Sequence, residues 1–266
     1  MTSPAVRRAA GGWTAMVLIF LYAPLLLVVV NAFNESRTFA FPPTGFTLQW
    51  WADAWRSRGL WQSLANSVVV GLGATAIALV LGTMAAIAVQ RYEFFGRRAI
   101  SLLVVLPITL PGIVTGIALN ATFTSALGVT LGLATVIVGH ATFCIVVVYN
   151  NTQARLRRMG EHLEDVSADL GASPWQTFRY VTFPMMRGSL VAGAVLAFAL
   201  SFDEIVVTTF TAGPTVQTLP IWIFGNLFRP NHAPVINVVA AALTVVAIIP
   251  VWLAQRFGGD PAGARV

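Results

Sequence analysis

The sequence contains no lysine, and its 266 residues include only ten acidic side chains, three histidines and one cysteine. The missing lysine excludes a P-loop, because G-x-x-x-x-G-K-[ST] needs that ammonium to reach nucleotide phosphates. If ATP drives this protein, another polypeptide must bind it. The lone Cys144 excludes an internal disulfide and has no metal-ligand spacing around it, so it reads as a small apolar packing residue. No Ser-His-Asp or Cys-His constellation is present, and no catalytic residue is assigned. His162 and His232 have no ligand spacing around them. Charge is scarce too. Charged residues are 10 % of the chain, against about 25 % in a soluble domain. So few charges cannot cover a water-facing surface.

What is present is apolar. Hydrophobic residues make up 57 % of the chain and the mean hydropathy is +0.77. This is the composition of an integral membrane protein, in contact with lipid. The net charge of +6 does not argue for nucleic acid. All sixteen basic residues are arginine, scattered between apolar runs rather than clustered on one helix face.

A helix needs about 20 apolar residues to cross the hydrocarbon. The uncharged runs predict six spans, near 12–33, 63–89, 99–119, 133–150, 188–210 and 237–255. The third and fourth share one uncharged run, divided at the cluster Gly128 to Gly132. The expected fold is therefore an all-α membrane protein of six transmembrane helices. Placing the N-terminus in the cytoplasm puts twelve arginines inside and leaves Arg37, Arg56, Arg58 and Arg229 outside, a positive-inside bias. Trp13, Trp61 and Trp252 fall near span ends, where amphipathic rings prefer to sit. The first span has no cleavage site after it and reads as an uncleaved helix. The loop after it, about 34–62, is the largest exterior segment and is expected to fold over the outer mouth.

Two glycine patterns read as packing. "GLGATA", Gly71 to Ala76, fits a dinucleotide fingerprint but lies inside an uncharged span with no strand before it. Gly112 and Gly116 have the G-x-x-x-G spacing that lets helices approach closely. His140, inside the fourth span, reads equally as a proton relay or a hydrogen-bonded packing residue.

The longest polar stretch is "EDVSADLGASPWQTFRYVTFP", Glu164 to Pro184. Glu161 to Leu170 reads as a short helix with Leu163, Val166 and Leu170 on one face. Gly171 suits the left-handed position that ends a helix. Ser173, Pro174 and Gln176 form a capping box with proline at the first helical position. A second short helix is expected to run to about Thr182, stopped by Pro184. Such a preorganised hairpin either lies on the membrane surface or serves as a docking knob that moves the helices it joins.

Acidic residues inside a span cost about 2.5 kcal/mol or more at the bilayer centre. Asp203 and Glu204 sit inside the fifth span, about 22 Å along its axis from Gly188. Ser201, Glu204 and Thr208 are expected to share one helix face as a polar stripe. The pair either guides a cationic substrate through a pathway or is structural, bonding to arginine or backbone near a broken helix.

The polar stretch resembles the EAA loop of inner-membrane permease subunits of ABC importers, a pattern of roughly E-A-A-x-x-x-G followed by a run ending in L-P. Here the pattern falls on Asp165, Val166, Ser167 and Gly171 and ends at Phe183-Pro184, with "ADLGAS", Ala168 to Ser173, a close match. Asp165, Val166, Ser167 and Phe183 replace the pattern's usual letters. "LPITLPGIVTGIAL", Leu106 to Leu119, is similar to the third-helix segment of these permeases. "SFDE", Ser201 to Glu204, and "TLP", Thr218 to Pro220, look like the polyamine-type branch.

The resemblance implies a type I importer permease in the bacterial inner membrane, with both termini cytoplasmic and a substrate such as a polyamine. It implies residues 1–61 as first helix and exterior loop, 62–256 as the permease domain with a coupling loop at about 160–185, and 257–266 as a short tail. Glu164, Asp165, Val166, Ser167, Asp169, Gly171 and Ala172 would couple to the ATPase. Ser201, Asp203, Glu204 and Thr208 are the substrate-pathway candidates. The implied partners are ABC ATPase subunits, which hold ATP and Mg2+, a second permease subunit (homologous or identical), an external solute-binding protein and membrane lipid. No cofactor sits on this chain and no nucleic acid is involved. A secondary transporter driven by an ion gradient is the alternative, although no repeat links 1–133 to 134–266.

Overall fold

The computed structural model describes residues 4–38, 41–159, 162–229 and 231–257, without the side chains of 4, 5 and 248–257. The described residues form helices α1 (Pro4–Asn31), α2 (Gln49–Arg56), α3 (Arg58–Arg91), α4 (Arg97–Thr109), α5 (Gly112–Ala121), α6 (Leu133–Met159), α7 (His162–Asp169), α8 (Pro174–Thr177), α9 (Phe183–Phe202), α10 (Val206–Thr211), α11 (Leu219–Leu227) and α12 (Ala233–Phe257). Glu161, expected to open α7, lies outside the described residues, as does the tail from 258. Two compact units emerge. One joins residues up to Arg58 with those from Ile223 onward, and the other runs from Gly59 to Trp222.

In the larger unit α6 is central. Val136, His140, Cys144, Val146, Val148, Thr152 and Leu156 on it are fully buried. Ala74 and Ala78 of α3, Ala197 of α9 and Val207 of α10 pack on Cys144 and Val148. Farther along, Ala86 and Val89 of α3 and Met186 of α9 pack on Tyr149 and Leu156. The small residues have a steric purpose. A Cβ on Gly82 would lie 2.9 Å from the Ile145 carbonyl oxygen and 3.1 Å from the Tyr149 nitrogen, so α3 and α6 touch backbone to backbone there. "GLGATA" is part of α3, and a Cβ on Gly71 would meet the Phe198 ring. Gly112 and Gly116 bring α5 against Val206 and Phe210 of α10, where Asn120 Nδ2 donates to the Phe210 carbonyl at 2.6 Å.

Among the described residues, four helices are long and apolar enough to cross a membrane, over Val6–Asn31, Arg58–Arg91, Leu133–Met159 and Pro174–Phe202. The expected third span is not one straight helix: α4 and the helical run through α5 meet at 108°. Pro107 removes an amide donor and Pro111 pushes Leu110 to an extended backbone (φ −82°, ψ 143°), so the helix ends there. The Gly128 to Gly132 division is present, with Gly128 at φ +63° and α6 starting at Leu133. The C-terminal helix, apolar over Ala233–Ala247 among the described residues, stands in the place of the sixth span.

The fifth span differs most from expectation. Pro184 does not stop a helix. The chain stays helical from Pro174, through a π-helical turn at Phe178–Thr182, into α9. A wider π turn just ahead of the proline accommodates both the missing amide and the ring that would crowd the preceding turn. The helix breaks instead after Phe202 and resumes as α10.

In the smaller unit α1 packs on α12, and α12 on α2. The first helix starts earlier than expected, at Pro4, and the loop after it ends at Ser57 because α3 begins at Arg58. That loop is organised by buried Asn34. Its Oδ1 accepts from the amides of Ser36 (3.2 Å) and Thr44 (3.3 Å), and its carbonyl accepts from Trp50 Nε1 at 2.9 Å. An isolated bridge pairs Asn34 with Phe46.

Candidate functional site

Two local constructions stand out, both in the larger unit. The first is the hairpin between α6 and α9. Helix α7 ends in a Schellman motif: the Ala172 amide donates to the Ser167 carbonyl at 3.1 Å and the Gly171 amide to Ala168 at 2.9 Å. Gly171 holds φ +82°, open to glycine without strain. Ser173 then caps α8. Its side chain accepts from the Gln176 amide at 3.4 Å, and its own amide donates to Gln176 Oε1 at 2.7 Å. Ser167 Oγ and Thr177 Oγ1, 3.0 Å apart, clip the two arms together. The glycine turn and the capping box that the sequence predicts are both present.

Its surface carries several large apolar side chains. Leu163, Val166, Leu170 and Trp175 are exposed, Leu170 at 83 % and Trp175 at 69 %. Asp165 and Asp169 are exposed among them, while Ser167 and Ala172 are half-buried. Glu164 is turned inward, 2.9 Å from Arg91 Nε and accepting from Thr182 Oγ1 at 2.9 Å.

The second construction is the break after α9. Asp203 ends α9 and is exposed; its carboxylate has no hydrogen bond or ion pair among the described residues. Glu204 is half-buried, and its Oε1 accepts from the Val207 amide at 2.9 Å, capping α10. The polar stripe along one helix face does not form, because the helical register is lost between Phe202 and Val206. Ser201 and Thr208 are instead buried on either side of the break, joined by His140. Nδ1 of His140 lies 2.8 Å from Ser201 Oγ and Nε2 lies 2.8 Å from Thr208 Oγ1. Thr208 Oγ1 donates its proton to the Glu204 carbonyl at 2.9 Å, so toward His140 it accepts. With the proton on Nε2, Nδ1 is left to accept from Ser201 Oγ. Every member of this buried chain is satisfied by a neutral imidazole.

His140 thus pins the two sides of the break from α6. His140→Ala should leave the buried Ser201 hydroxyl short of a partner, at about 1–3 kcal/mol, while Thr208 keeps its bond to the Glu204 carbonyl. The expected result is a lower melting temperature of the detergent-purified protein. Adding Ser201→Ala should cost little more, because one bond cannot be lost twice. Full additivity would show that the two side chains are not coupled.

Sequence reasoning named the hairpin and the acidic step but missed Arg91 and Thr182, and it left His140 undecided. The one cue for Arg91 was its position at the end of the uncharged run 59–90. Elsewhere in the larger unit, "TLP" opens α11. The Leu219 amide donates to Ser67 Oγ at 2.8 Å and Asn66 Nδ2 to the Gln217 carbonyl at 2.9 Å.

Comparison with known proteins points one way. Residues 78–258 match the family described as binding-protein-dependent transport system inner membrane component. The spermidine/putrescine transport system permease protein PotC of Escherichia coli K12 is 30 % identical over 254 residues, covering 96 % of this chain and 95 % of PotC. The putrescine transport system permease protein PotI of the same strain is 31 % identical over 258 residues, covering 92 % of this chain and 91 % of PotI. Among solved structures, a bacterial ABC transporter that imports the acidic polysaccharide alginate aligns with a TM-score of 0.72 at 14 % identity. That alignment covers 97 % of this chain and 99 % of the alginate transporter chain. The MetNI methionine ABC transporter aligns with a TM-score of 0.60 at 20 % identity, over 75 % of this chain and 92 % of that one.

Proposed function

The chain belongs to the family of inner-membrane components of binding-protein-dependent transport systems, and from that membership we propose how it works and what it carries. It is a permease subunit of an ABC importer and a multi-pass inner-membrane protein. The proposal concerns the finer points: its cargo is a small cationic solute of the polyamine class, its hairpin is the joint to a separate ATPase, and its termini face the cytoplasm.

One observation carries the substrate reading. Asp203 places an exposed, unpaired carboxylate at an interruption of a membrane helix, next to the α9 C-terminus with its partial negative charge. An ammonium group complements both. That relatives PotC and PotI are named as spermidine/putrescine and putrescine permeases supports the same class. On this reading Asp203 faces the pathway directly. Glu204 shapes the break and adds charge, while Ser201 and Thr208 hold its walls through His140.

The hairpin reading rests on Gly171, the capping box and the exposed apolar edge from Leu163 to Trp175. A cleft on a soluble ATPase covers such an edge, and a stiff hairpin passes its motion on instead of absorbing it. The ATPase binds ATP and Mg2+, and this chain binds no cofactor. With a second permease subunit, homologous or identical, it encloses the pathway, and an external solute-binding protein delivers the cargo. Residues 62–256 act as the permease domain, 1–61 as first helix and exterior loop, and 257–266 as a cytoplasmic tail.

The test is affinity purification of tagged protein from its native membrane, with putrescine and spermidine uptake measured in cells lacking other polyamine importers. An ATPase subunit should co-purify, and uptake should require it. Absence of any ATPase from the preparation refutes the coupling assignment. Uptake of neither amine, with the ATPase present, refutes the substrate class alone.

A further inference from the structure

Helix α7 has no buried residue. Apolar packing therefore does not fix how it sits, and polar ties must do so. Its three acidic side chains divide into two kinds. Asp165 and Asp169 are exposed to solvent. Glu164 faces the helices, with its side chain 20 % exposed and that of its partner Arg91 10 % exposed. Oε2 of Glu164 lies 2.9 Å from Arg91 Nε. Oε1 accepts from Arg91 Nη2 at 3.2 Å and from Thr182 Oγ1 at 2.9 Å. Arg91 is the last residue of α3, and Thr182 closes the π-helical turn that leads into α9. One carboxylate thus joins three elements far apart in sequence. Nη2 makes the hydrogen bond, Nε lies close to the other oxygen without hydrogen-bond geometry, and the shielding of the pair from water limits screening by salt.

We propose that Glu164 is not a docking contact for the ATPase but the internal anchor of the coupling hairpin. It makes α7 and the end of α3 move as one body. Arg91 is its positioning partner, and Thr182 fastens the same carboxylate to the start of α9. The proposal rests on the reading of the hairpin as a coupling element and reassigns Glu164 within it. Tilting of the hairpin then reaches α3 and α9 through a side-chain junction as well as through the backbone. The exposed carboxylates Asp165 and Asp169 are left for the partner.

The experiment measures rigidity directly and needs no solute. Spin labels are placed on cysteines replacing Tyr92, just past α3, and Ala168 on α7, in a Cys144→Ser background. The complex, with its ATPase, is held in lipid nanodiscs, and the label–label distance distribution is recorded without nucleotide and after trapping with ATP and vanadate. With the junction intact, one narrow distribution is expected, unchanged by trapping. Glu164→Ala and Arg91→Ala should each broaden it and make it shift on trapping, while the ATPase is recovered at parental levels. The double variant should match either single one, since both remove the same contact.

Distributions as narrow as the parent's in both variants overturn the proposal. So does loss of the ATPase from Glu164→Ala with the distribution unchanged, which would return Glu164 to the docking face. Should either alanine variant fail to reach the membrane, Glu164→Gln and Thr182→Val, which keep side-chain shape, decide the matter by the same measure. Intact narrow distributions in both refute the junction. If the parent complex contains no ATPase, the coupling reading fails, and the nucleotide-free distributions still decide whether the junction holds α7.

Discussion

Asp203→Asn should leave membrane level and ATPase recovery at wild type and cut putrescine uptake about tenfold or more. Asparagine is nearly the same size, and the carboxylate has no hydrogen bond or ion pair among the described residues, so the folded chain loses no contact. On the proposed pathway role of Asp203, what is lost is attraction for a cationic solute in surroundings of reduced dielectric. At an effective constant of 20, one charge pair 4 Å apart is worth about 4 kcal/mol before desolvation is subtracted. A tenfold fall needs only about 1.4 kcal/mol of that. Glu204→Gln should behave differently. Its Oε1 caps α10 through the Val207 amide, and the glutamine oxygen can keep that bond, so a milder uptake defect is expected. Uptake kinetics in whole cells, beside immunoblots of the membrane fraction, separate the cases. Normal uptake by the Asp203→Asn, Glu204→Gln double variant would remove the acidic step from the pathway. Poor membrane levels would make it structural.

Gly171→Val should strip the ATPase from the complex while the helices still insert. Nothing lies within 4 Å of the position a Cβ would take, so crowding is not the cause. The cause is φ +82°, a left-handed conformation that costs an ordinary L-residue about 1–2 kcal/mol and a β-branched one more. The chain can escape that strain only by giving up the Schellman bonds, which re-aims α7 against α8. About 1.4 kcal/mol of lost docking lowers affinity roughly tenfold. Gly171→Asn is the control, because asparagine tolerates the left-handed region, and it should bind the ATPase nearly normally. Pull-down yields and uptake for both variants provide the check. Equal, wild-type recovery of the ATPase by the Val variant would remove this turn from the coupling mechanism.

The two constructions were legible to different degrees. The hairpin was readable almost atom by atom, because a Schellman glycine, an N-cap serine and a capping-box glutamine act within six residues of one another. The membrane class was readable for a similarly direct reason: a chain with 10 % charged residues has no other solvent to fold in. Helix–helix approach at Gly112 and Gly116 was readable because the spacing itself puts both on one face.

The helix breaks were only half visible. Averaging hydropathy over a span registers neither Pro107 and Pro111, which bend the third span by 108°, nor the loss of register at Asp203. Pro184 misled for the opposite reason, since a π-helical turn ahead of it let the helix continue. The side-chain junctions were not visible at all. Arg91 meets Glu164 across 73 positions, and His140 meets Ser201 across 61 and Thr208 across 68. Composition and neighbouring residues determined that this chain enters a membrane, where its helices run and how its hairpin turns, because those choices are settled by solvent and by contacts a few residues apart. Which carboxylate faces inward, and which histidine pins the break, only the packed helices decided. Such pairings arise when α3, α6 and α9 come within a side chain's reach of one another, a distance no local pattern encodes.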